Sequence, residues 1–275
     1  MAGTYYNTPR MTANTALAAL SRSQLTQDNS GPFRVYRDTA GKVYHSITHI
    51  LQETSSEESK QRLANWSRRS DSALVRETAA KRGTAAHNQA EYILKTARRM
   101  ALHAANNRGS LRTNPSGLER PPKALTTWAL KQVTTGALPA VPFAASGYAR
   151  CLRHWIVQNV TAIHAIEFCV HHPLGFAGTC DALLEIDGKL YITDWKTSER
   201  ERSDELLLNY KHQLGAYASG LAHLTGIYPE AGAIVVARRS GPPQLRYLTS
   251  EELQASSHLF SLRVRAYART LAKTA

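Results

Sequence analysis

The segment at residues 178–198, GTCDALLEIDGKLYITDWKTS, constrains the fold more than any other part of the chain. Asp187-Gly188 is a dipeptide that two-residue type I′ hairpin turns favour, and alternating strand-forming residues lie on both sides of it. Such a turn fixes the register of the two strands that it joins. Counting back from the turn places Asp181 directly opposite Asp194.

Two opposed carboxylates need a compensating charge. Directly opposed residues in antiparallel strands have Cβ atoms about 4.5–5.5 Å apart, a separation at which like charges are destabilising. Lys196 follows Asp194 by two residues and therefore lies on the same face of the sheet. Carboxylate oxygens are ligands that Mg²⁺ and Mn²⁺ accept, so a divalent cation would satisfy Asp181 and Asp194 together. The alternative is a structural ion cluster in which Lys196 neutralises the two acids.

The charge balance of the whole chain indicates a polyanionic partner. Lys and Arg number 34 against 21 Asp and Glu, which gives a formal net charge of +13. This excess favours nucleic acid or an anionic membrane surface. The chain lacks a basic amphipathic helix with a rich apolar face and a run of about 20 apolar residues, so we expect DNA and no membrane. Solubility alone is the competing explanation of the charge.

The cysteines exclude several kinds of site. Cys151, Cys169 and Cys180 are too few and too irregularly spaced for a disulfide framework or a zinc site. A four-cysteine iron–sulfur cluster cannot be supplied by this chain alone. No signal-peptide pattern follows the first residue, so a reducing compartment is expected.

The order of the predicted elements indicates an α/β fold. Residues 1–30 are expected to form a flexible N-terminal arm, and residues 31–275 a single domain. In that domain a helical front half (46–160) precedes an α/β core (161–275). Strands and helices of the core are predicted at 162–172, 178–198, 204–224, 232–238, 244–248 and 250–273. The result is a mixed sheet of about five strands flanked by helices.

The elements of the front half follow from periodicity and from chain breakers. Residues 34–51 are predicted to form a β-hairpin that leads into a helix. Residues 57–105 have a helical pattern that we expect to be broken at Arg82-Gly83. A loop rich in Gly, Pro and Asn at 106–123 precedes two further helices, predicted at 124–135 and 146–160.

Four short motifs occur in an order that one family of enzymes shares. Gly178–Asp181 matches a G-x-x-D strand, and Asp194–Lys196 matches a D/E-x-K strand. His87 lies upstream in RGTAAHNQAEYIL, and a Q-x-x-x-Y helix runs from Gln213 to Tyr217. Together they resemble the PD-(D/E)XK nuclease superfamily and its RecB-like exonuclease branch. Within that branch the similarity points to the mitochondrial genome maintenance exonuclease family and its bacterial and phage members.

This resemblance covers residues 44–240, including SITHILQETSSEESKQRLANWSRR at 46–69 ahead of the His motif. It implies a restriction-endonuclease-like mixed sheet whose helical N-terminal half covers the active site. It also implies a DNA exonuclease that uses Mg²⁺ or Mn²⁺ and acts on free single-stranded ends, in DNA processing, repair or replication. The expected location is the cytoplasm of a bacterial or phage-infected cell, with the mitochondrial matrix as the alternative.

The resemblance implies a role for each motif residue. Lys196 would assist the attacking water. Gln213 and Tyr217 would line the site and hold Lys196 or the DNA. The implied metal ligands are His87, Asp181, Asp194 and the backbone carbonyl of Trp195.

The residues alone leave alternatives open at several of these positions. His87 follows Thr84, a plausible helix cap, and shares a helix face with Glu91, so on composition alone it would be a surface residue. Tyr217 could belong to the core of its helix. Glu167, between apolar neighbours in a predicted strand, is either a further acid near the metal or an exposed residue of an edge strand, and we rank it below the others.

Basic residues beside the motifs are candidates for contacts with DNA phosphates. The best placed of them flank the predicted site: Arg82, Arg98 and Arg200. Tryptophans of the helical half could stack on single-stranded bases, although core packing is expected for at least two of them. Two other functions compete with the exonuclease: an endonuclease of the same fold, and a DNA-binding module without catalysis.

Overall fold

The predicted hairpin lies at the centre of an eight-stranded mixed sheet. The structure, a computed structural model, describes Leu17 and residues 25–274. The strands are β1 (Leu25–Asp28), β2 (Val35–Asp38), β3 (Val43–Ser46), β4 (Arg112–Thr113), β5 (Glu119–Arg120), β6 (Val160–His172), β7 (Phe176–Ile186), β8 (Lys189–Thr197), β9 (Ala231–Ala237) and β10 (Gln244–Leu248). The sheet has the order β1-β2-β3-β7-β8-β9-β10, with β6 paired to β7, while β4 and β5 form a separate ribbon. The pairs β3–β7 and β8–β9 are parallel.

Helices cover both faces of the sheet. They are α1 (Ile47–Glu53), α2 (Glu57–Ser67), α3 (Ser72–Asn107), α4 (Lys123–Thr135), α5 (Phe143–Asn159), α6 (Asp204–Thr225) and α7 (Ser250–Thr274). Apolar residues of α1, α6 and α7 form the core on one face, and those of α3, α4 and α5 form the core on the other. The predicted mixed sheet flanked by helices is thus confirmed. Among the helices of the described residues, none has the length and apolar character needed to span a bilayer.

The register of the central hairpin is the predicted one. Asp187 and Gly188 have φ values of 48° and 80°, as a type I′ turn requires. The observed β7–β8 pairs run from the turn as far as Ala182 with Thr193. Asp181 and Asp194 occupy the next position of the same register, one step beyond the last observed pair.

The five strands predicted for the α/β core are confirmed as β6 to β10, and the N-terminal segment adds three more strands to the same sheet. Leu25–Asp28 was assigned to the flexible arm, yet it pairs with Val35–Asp38 as the outermost part of the sheet. Strand β3 then joins this hairpin to the N-terminal end of β7 in parallel. Residues 1–16 and 18–24 of the predicted arm lie outside the described residues, whereas Leu17 is described and buried. The sequence also predicts a short helix near 13–24, which falls in this part of the chain.

The helix break predicted at Arg82-Gly83 is wrong. Helix α3 is continuous through both residues, and the break falls before it, at residues 68–71. Gly83 meets a packing requirement instead, because a Cβ at this position would lie 3.3 Å from Oγ1 of Thr197 at the end of β8. The glycine therefore lets α3 approach the central hairpin closely.

A gap in the strand pairing of β7 creates the space for a site. On one side β7 pairs with β6 along its length, and on the other it pairs first with β3, at Phe176 and Ala177, and later with β8, from Ala182 onward. In the described part of the sheet, no strand pairs with residues Gly178–Asp181 on this second side. Side chains can therefore reach the backbone and the acid of this segment.

The other end of β7 carries a buried ion cluster. Glu185 accepts hydrogen bonds from Asn114 Nδ2 at 2.8 Å and His164 Nε2 at 3.0 Å, and it pairs with Arg120 at 2.5 Å. Burial favours the neutral acid, but these hydrogen bonds outweigh it and lower the pKa of Glu185. The cluster ties the β4–β5 ribbon to the sheet, and since its charges are compensated it is a structural feature.

Candidate active site

Three carboxylates lie in a row across three adjacent strands. By the observed registers, Glu167 on β6 is opposite Asp181 on β7, and Asp194 on β8 lies on the other side of Asp181. Glu167 has φ 49°, in the left-handed region that non-glycine residues seldom adopt. Backbone conformations of this kind cost free energy and are concentrated at functional sites. The row of acids is thus held by the sheet together with a strained backbone.

Two of these acids converge with a histidine. His87, on α3, places Nδ1 3.6 Å from Oδ1 of Asp181. The backbone N–H of Trp195 donates to Oδ2 of Asp181 at 2.5 Å, which fixes the carboxylate. One ligand atom from each of His87, Glu167 and Asp181 lies within 4.8 Å of the other two. An imidazole nitrogen and two carboxylate oxygens at this spacing form a site for a divalent cation.

Asp194 is held by the neighbouring lysine. Its Oδ2 lies 2.5 Å from Lys196 Nζ, and only 2% of the residue is exposed. Burial raises the pKa of Asp194 to about 6, with Asp181 adding to the rise and Lys196 opposing it. Burial disfavours the charged lysine, but Asp194 and Asp181 outweigh it and raise the pKa of Lys196. Lys196 is therefore an ammonium here, and its Nζ also lies 5.1 Å from the centre of the Tyr210 ring.

A cleft of about 580 Å³ lies between α3 and the strands that carry the acids, and we call it the central cleft. It is lined by His87, Glu167, Asp181, Trp195, Lys196 and Tyr210, whereas Asp194 is not among the described residues that line it. Arg82 is largely enclosed in its wall, where it pairs with Glu199 at 2.6 Å and lies 4.6 Å over the ring of Tyr148. Further polar residues of the wall are Gln27, Arg34, Thr84, Asn88, Glu91, Thr179, Thr197 and Arg202. Cations and hydrogen-bond donors around paired acids suit a phosphate that is bound beside a metal.

Four predicted residues stand apart from the central cleft. Gln213 and Tyr217 are not among the described residues that line it; both are buried, and Nε2 of Gln213 donates to the Tyr217 hydroxyl at 2.6 Å. Arg98 donates Nε to the carbonyl of Ile163 at 3.2 Å and so supports β6. Arg200 is exposed in the loop after β8 and does not line the cleft.

The positions of these residues correct the expected roles. Gln213 and Tyr217 are both buried, and Tyr217 belongs to the core on the face of the sheet that α1, α6 and α7 cover. Burial raises the pKa of Tyr217, and the charge of Asp194 adds to this rise. Neither side chain is among the described residues that line the central cleft, and their expected role in holding Lys196 or the DNA stays a prediction. Arg98 is hydrogen-bonded to a backbone carbonyl. Of the three arginines predicted to contact DNA, Arg82 is therefore the one that lines the cleft.

Glu167 is more central to the cleft than the sequence indicates, and Tyr210 is a lining residue that the sequence does not predict. A signal for Glu167 was present: the three-residue loop after His172, with Gly175 at φ 89°, pairs His172 with Phe176. Counting back from this loop places Glu167 opposite Asp181, by the same reasoning that places Asp194 there. Tyr210 lies one helical turn before Leu214 of the core face, and its contact with Lys196 depends on how α6 packs.

Glu167 and Asp194 bind more protons in the folded chain than in the unfolded one. Burial, with a contribution from the charges of Asp181 and Glu91, raises the pKa of Glu167 from 4.5 to about 7. Between these two values the folded state holds a proton that the unfolded state has released, so stability falls as pH rises. The raised pKa of Asp194 acts in the same direction.

We therefore expect the titration of Glu167 to lower the free energy of unfolding of the metal-free protein by about 2 kcal/mol as pH rises from 4.5 to about 7. Urea unfolding in the presence of a chelator, at a series of pH values, measures this decrease in the free energy of unfolding. Glu167→Gln should remove this part of the decrease. Glu77→Gln, which breaks an exposed pair with Lys81, is the matched control and should keep it. An identical pH dependence in Glu167→Gln and the native chain would contradict the assignment.

The sequence of the chain is similar to a nuclease family and to three exonucleases. The family model of the PD-(D/E)XK nuclease superfamily matches residues 18–273. "Mitochondrial genome maintenance exonuclease 1" of Homo sapiens is 33% identical over 112 residues, and that of Mus musculus 34% identical over 113 residues; each match covers 39% of this chain and 32% of the relative. The Xenopus tropicalis protein of the same name is 29% identical over 121 residues, 41% of this chain and 33% of that protein. The matched segment thus spans about a third of each relative.

Proposed function

The chain belongs to the PD-(D/E)XK nuclease superfamily, and from this premise we propose that it is a divalent-metal-dependent DNA exonuclease that hydrolyses single strands from a free end. The observation that carries the proposal is the convergence of His87, Glu167 and Asp181 within 4.8 Å, beside the Asp194–Lys196 pair. The net charge of +13 supports DNA as the substrate. The names of the relatives support exonuclease activity, and they favour the mitochondrial matrix over the cytoplasm as the location.

The donor set fits Mg²⁺ or Mn²⁺. Two carboxylates and one imidazole are available, Asp181 is fixed by the Trp195 N–H, and the cleft leaves room for water ligands. His87, Glu167 and Asp181 would hold the ion, and Asp194 and the Trp195 carbonyl are further candidates on its hairpin side. The chemistry that a divalent cation supplies in such a site is activation of a water and neutralisation of charge on the phosphate.

The residues of the chain would orient the reactants. Lys196, kept charged by Asp194, is placed to donate a hydrogen bond to the attacking water or to a phosphate oxygen. Arg82 and Arg202 in the wall would attract and align the phosphates that flank the scissile bond. Gln213 and Tyr217, near Asp194, are proposed to act as positioning residues that keep this strand in place.

Digestion of matched linear and circular single strands tests the proposal. We expect a linear strand labelled at both ends to be degraded in Mg²⁺ and to survive in a chelator, because the acids alone cannot activate water. A closed circle of the same sequence should survive in both conditions, and it should become a substrate once it is cut open. Equal cleavage of the closed circle would favour the endonuclease, and binding of both strands without cleavage would favour a DNA-binding module.

A further inference from the structure

A second groove with basic walls lies between α5 and the loop that joins β9 to β10. Its volume is about 550 Å³, and we call it the α5 groove. Arg150 and His154 line it from the helix, and Arg239 lines it from the loop. Trp155 and Leu245 supply apolar surface to the same walls. No Asp or Glu is among the described residues that line the groove, although acids make up 21 of the 275 residues.

The two walls of the α5 groove are fixed relative to each other. A Cβ on Gly147 would lie 2.1 Å from the carbonyl oxygen of Arg239, so the helix and the loop are in direct contact at a position that tolerates only glycine. Trp155 Nε1 donates to the hydroxyl of Tyr247 at 3.3 Å, which joins the helix to β10. The groove is therefore a preformed feature of the fold.

Among the described residues, none is a counter-ion to the two arginines of the α5 groove. Within the described part of the chain, Arg150, His154 and Arg239 form neither an ion pair nor a side-chain hydrogen bond. The adjacent Arg238 differs, since it pairs with Glu201 at 2.7 Å, and Arg82 pairs with Glu199. Unpaired cations gathered in a groove without acids are the electrostatic footprint of a polyanion.

The α5 groove opens on the same edge of the sheet as the central cleft. Lys196 on β8 pairs with Val236 on β9, and Arg239 follows three residues later, about 10 Å along an extended chain. Tyr148 on α5 lies between the two sites: the Arg82 guanidinium is 4.6 Å above its ring, and the charge of Arg239 also acts on its hydroxyl. Two arginines, Arg82 and Arg239, thus lie near Tyr148 between the cleft and the groove.

We propose that the α5 groove binds the phosphodiester backbone of the same single strand, a few nucleotides away from the bond that is cut. This inference rests on the proposed function and extends it, because it gives the enzyme a second binding site that determines how a long strand is held. The two arginines contact phosphates, and the apolar wall packs against the sugars or bases. Contacts of this kind do not depend on base sequence.

The salt dependence of DNA binding tests this proposal. In Ca²⁺, fluorescence anisotropy measures the affinity of a labelled single strand over a series of KCl concentrations. The double variant Arg150→Ala/Arg239→Ala removes two phosphate contacts, so the slope of log Kobs against log salt should become shallower by about 1.4. The matched control is Arg265→Ala/Arg269→Ala, two exposed arginines of α7 on the opposite helical layer, and its slope should stay unchanged.

Each failure has a distinct signature. If the native chain binds and cuts single strands but the groove variant keeps the full slope, the α5 groove is not a DNA site and the inference is overturned. If the native chain neither binds nor cuts single strands, the proposed function itself fails. A third outcome is that polyglutamate competes with DNA for the native chain but not for the groove variant, while the salt slope of DNA binding is the same in both. This result would assign the groove to acidic proteins and would also overturn the inference.

Discussion

Replacement of Lys196 by Ala is expected to lower kcat by ~10²-fold or more, the effect of losing a positioned acid–base group. The ammonium of Lys196 lies beside the acids that would hold the metal, so it is within reach of the water or phosphate that reacts. Its removal takes away one positive charge next to Asp194 and Asp181. Mn²⁺ binding should therefore be unchanged or slightly tighter, and the affinity for DNA should fall little because many phosphate contacts remain.

The control for this prediction lies on the same strand. Lys189 is exposed at the turn end of β8, and Lys189→Ala makes the same change far from the central cleft. It should leave turnover in Mg²⁺ and DNA affinity in Ca²⁺ close to those of the native chain. If Lys196→Ala also cut single strands at the native rate, the reaction would have to occur elsewhere and the interpretation of the hairpin would be wrong.

The part of the site that could be predicted from sequence depends on local geometry. The Asp187-Gly188 turn fixes the register, so the positions of Asp181 and Asp194 follow from counting residues. The loop at Gly175 contains the same kind of information for Glu167. It does not reveal the strained φ of 49° at Glu167, since the register of a strand does not determine the backbone conformation of each residue.

The part that could not be predicted depends on how separate elements pack. Periodicity shows that Gln213 and Tyr217 share a face of α6. It does not show that this face packs in the core near Asp194, or that Tyr210 reaches Lys196. Similarly, Arg98 and Arg82 belong to one helix, and only the crossing of α3 over the sheet determines which of them lines the central cleft. Crossing angles arise from side-chain packing over the whole interface.

Replacement of Asp181 by Asn should weaken Mn²⁺ binding by ~100-fold or more, because changes to residues that only support a metal ligand already cost 10–100-fold. Asp181 occupies the middle of the acid row, next to His87 and between Glu167 and Asp194. The asparagine keeps the shape of the side chain while removing its charge. Without metal, the variant should be as stable as the native chain or more stable, since repulsion between the acids is relieved.

Isothermal titration of Mn²⁺ into three proteins is the most direct test of the claim that the acid row of β6, β7 and β8 is a metal site. The native chain and Asp187→Asn should bind Mn²⁺ alike, because Asp187 lies in the exposed turn and asparagine accepts its positive φ. Asp181→Asn should show the ~100-fold loss while it remains folded. Mn²⁺ binding by Asp181→Asn that equals that of the native chain would contradict the metal site and the mechanism built on it.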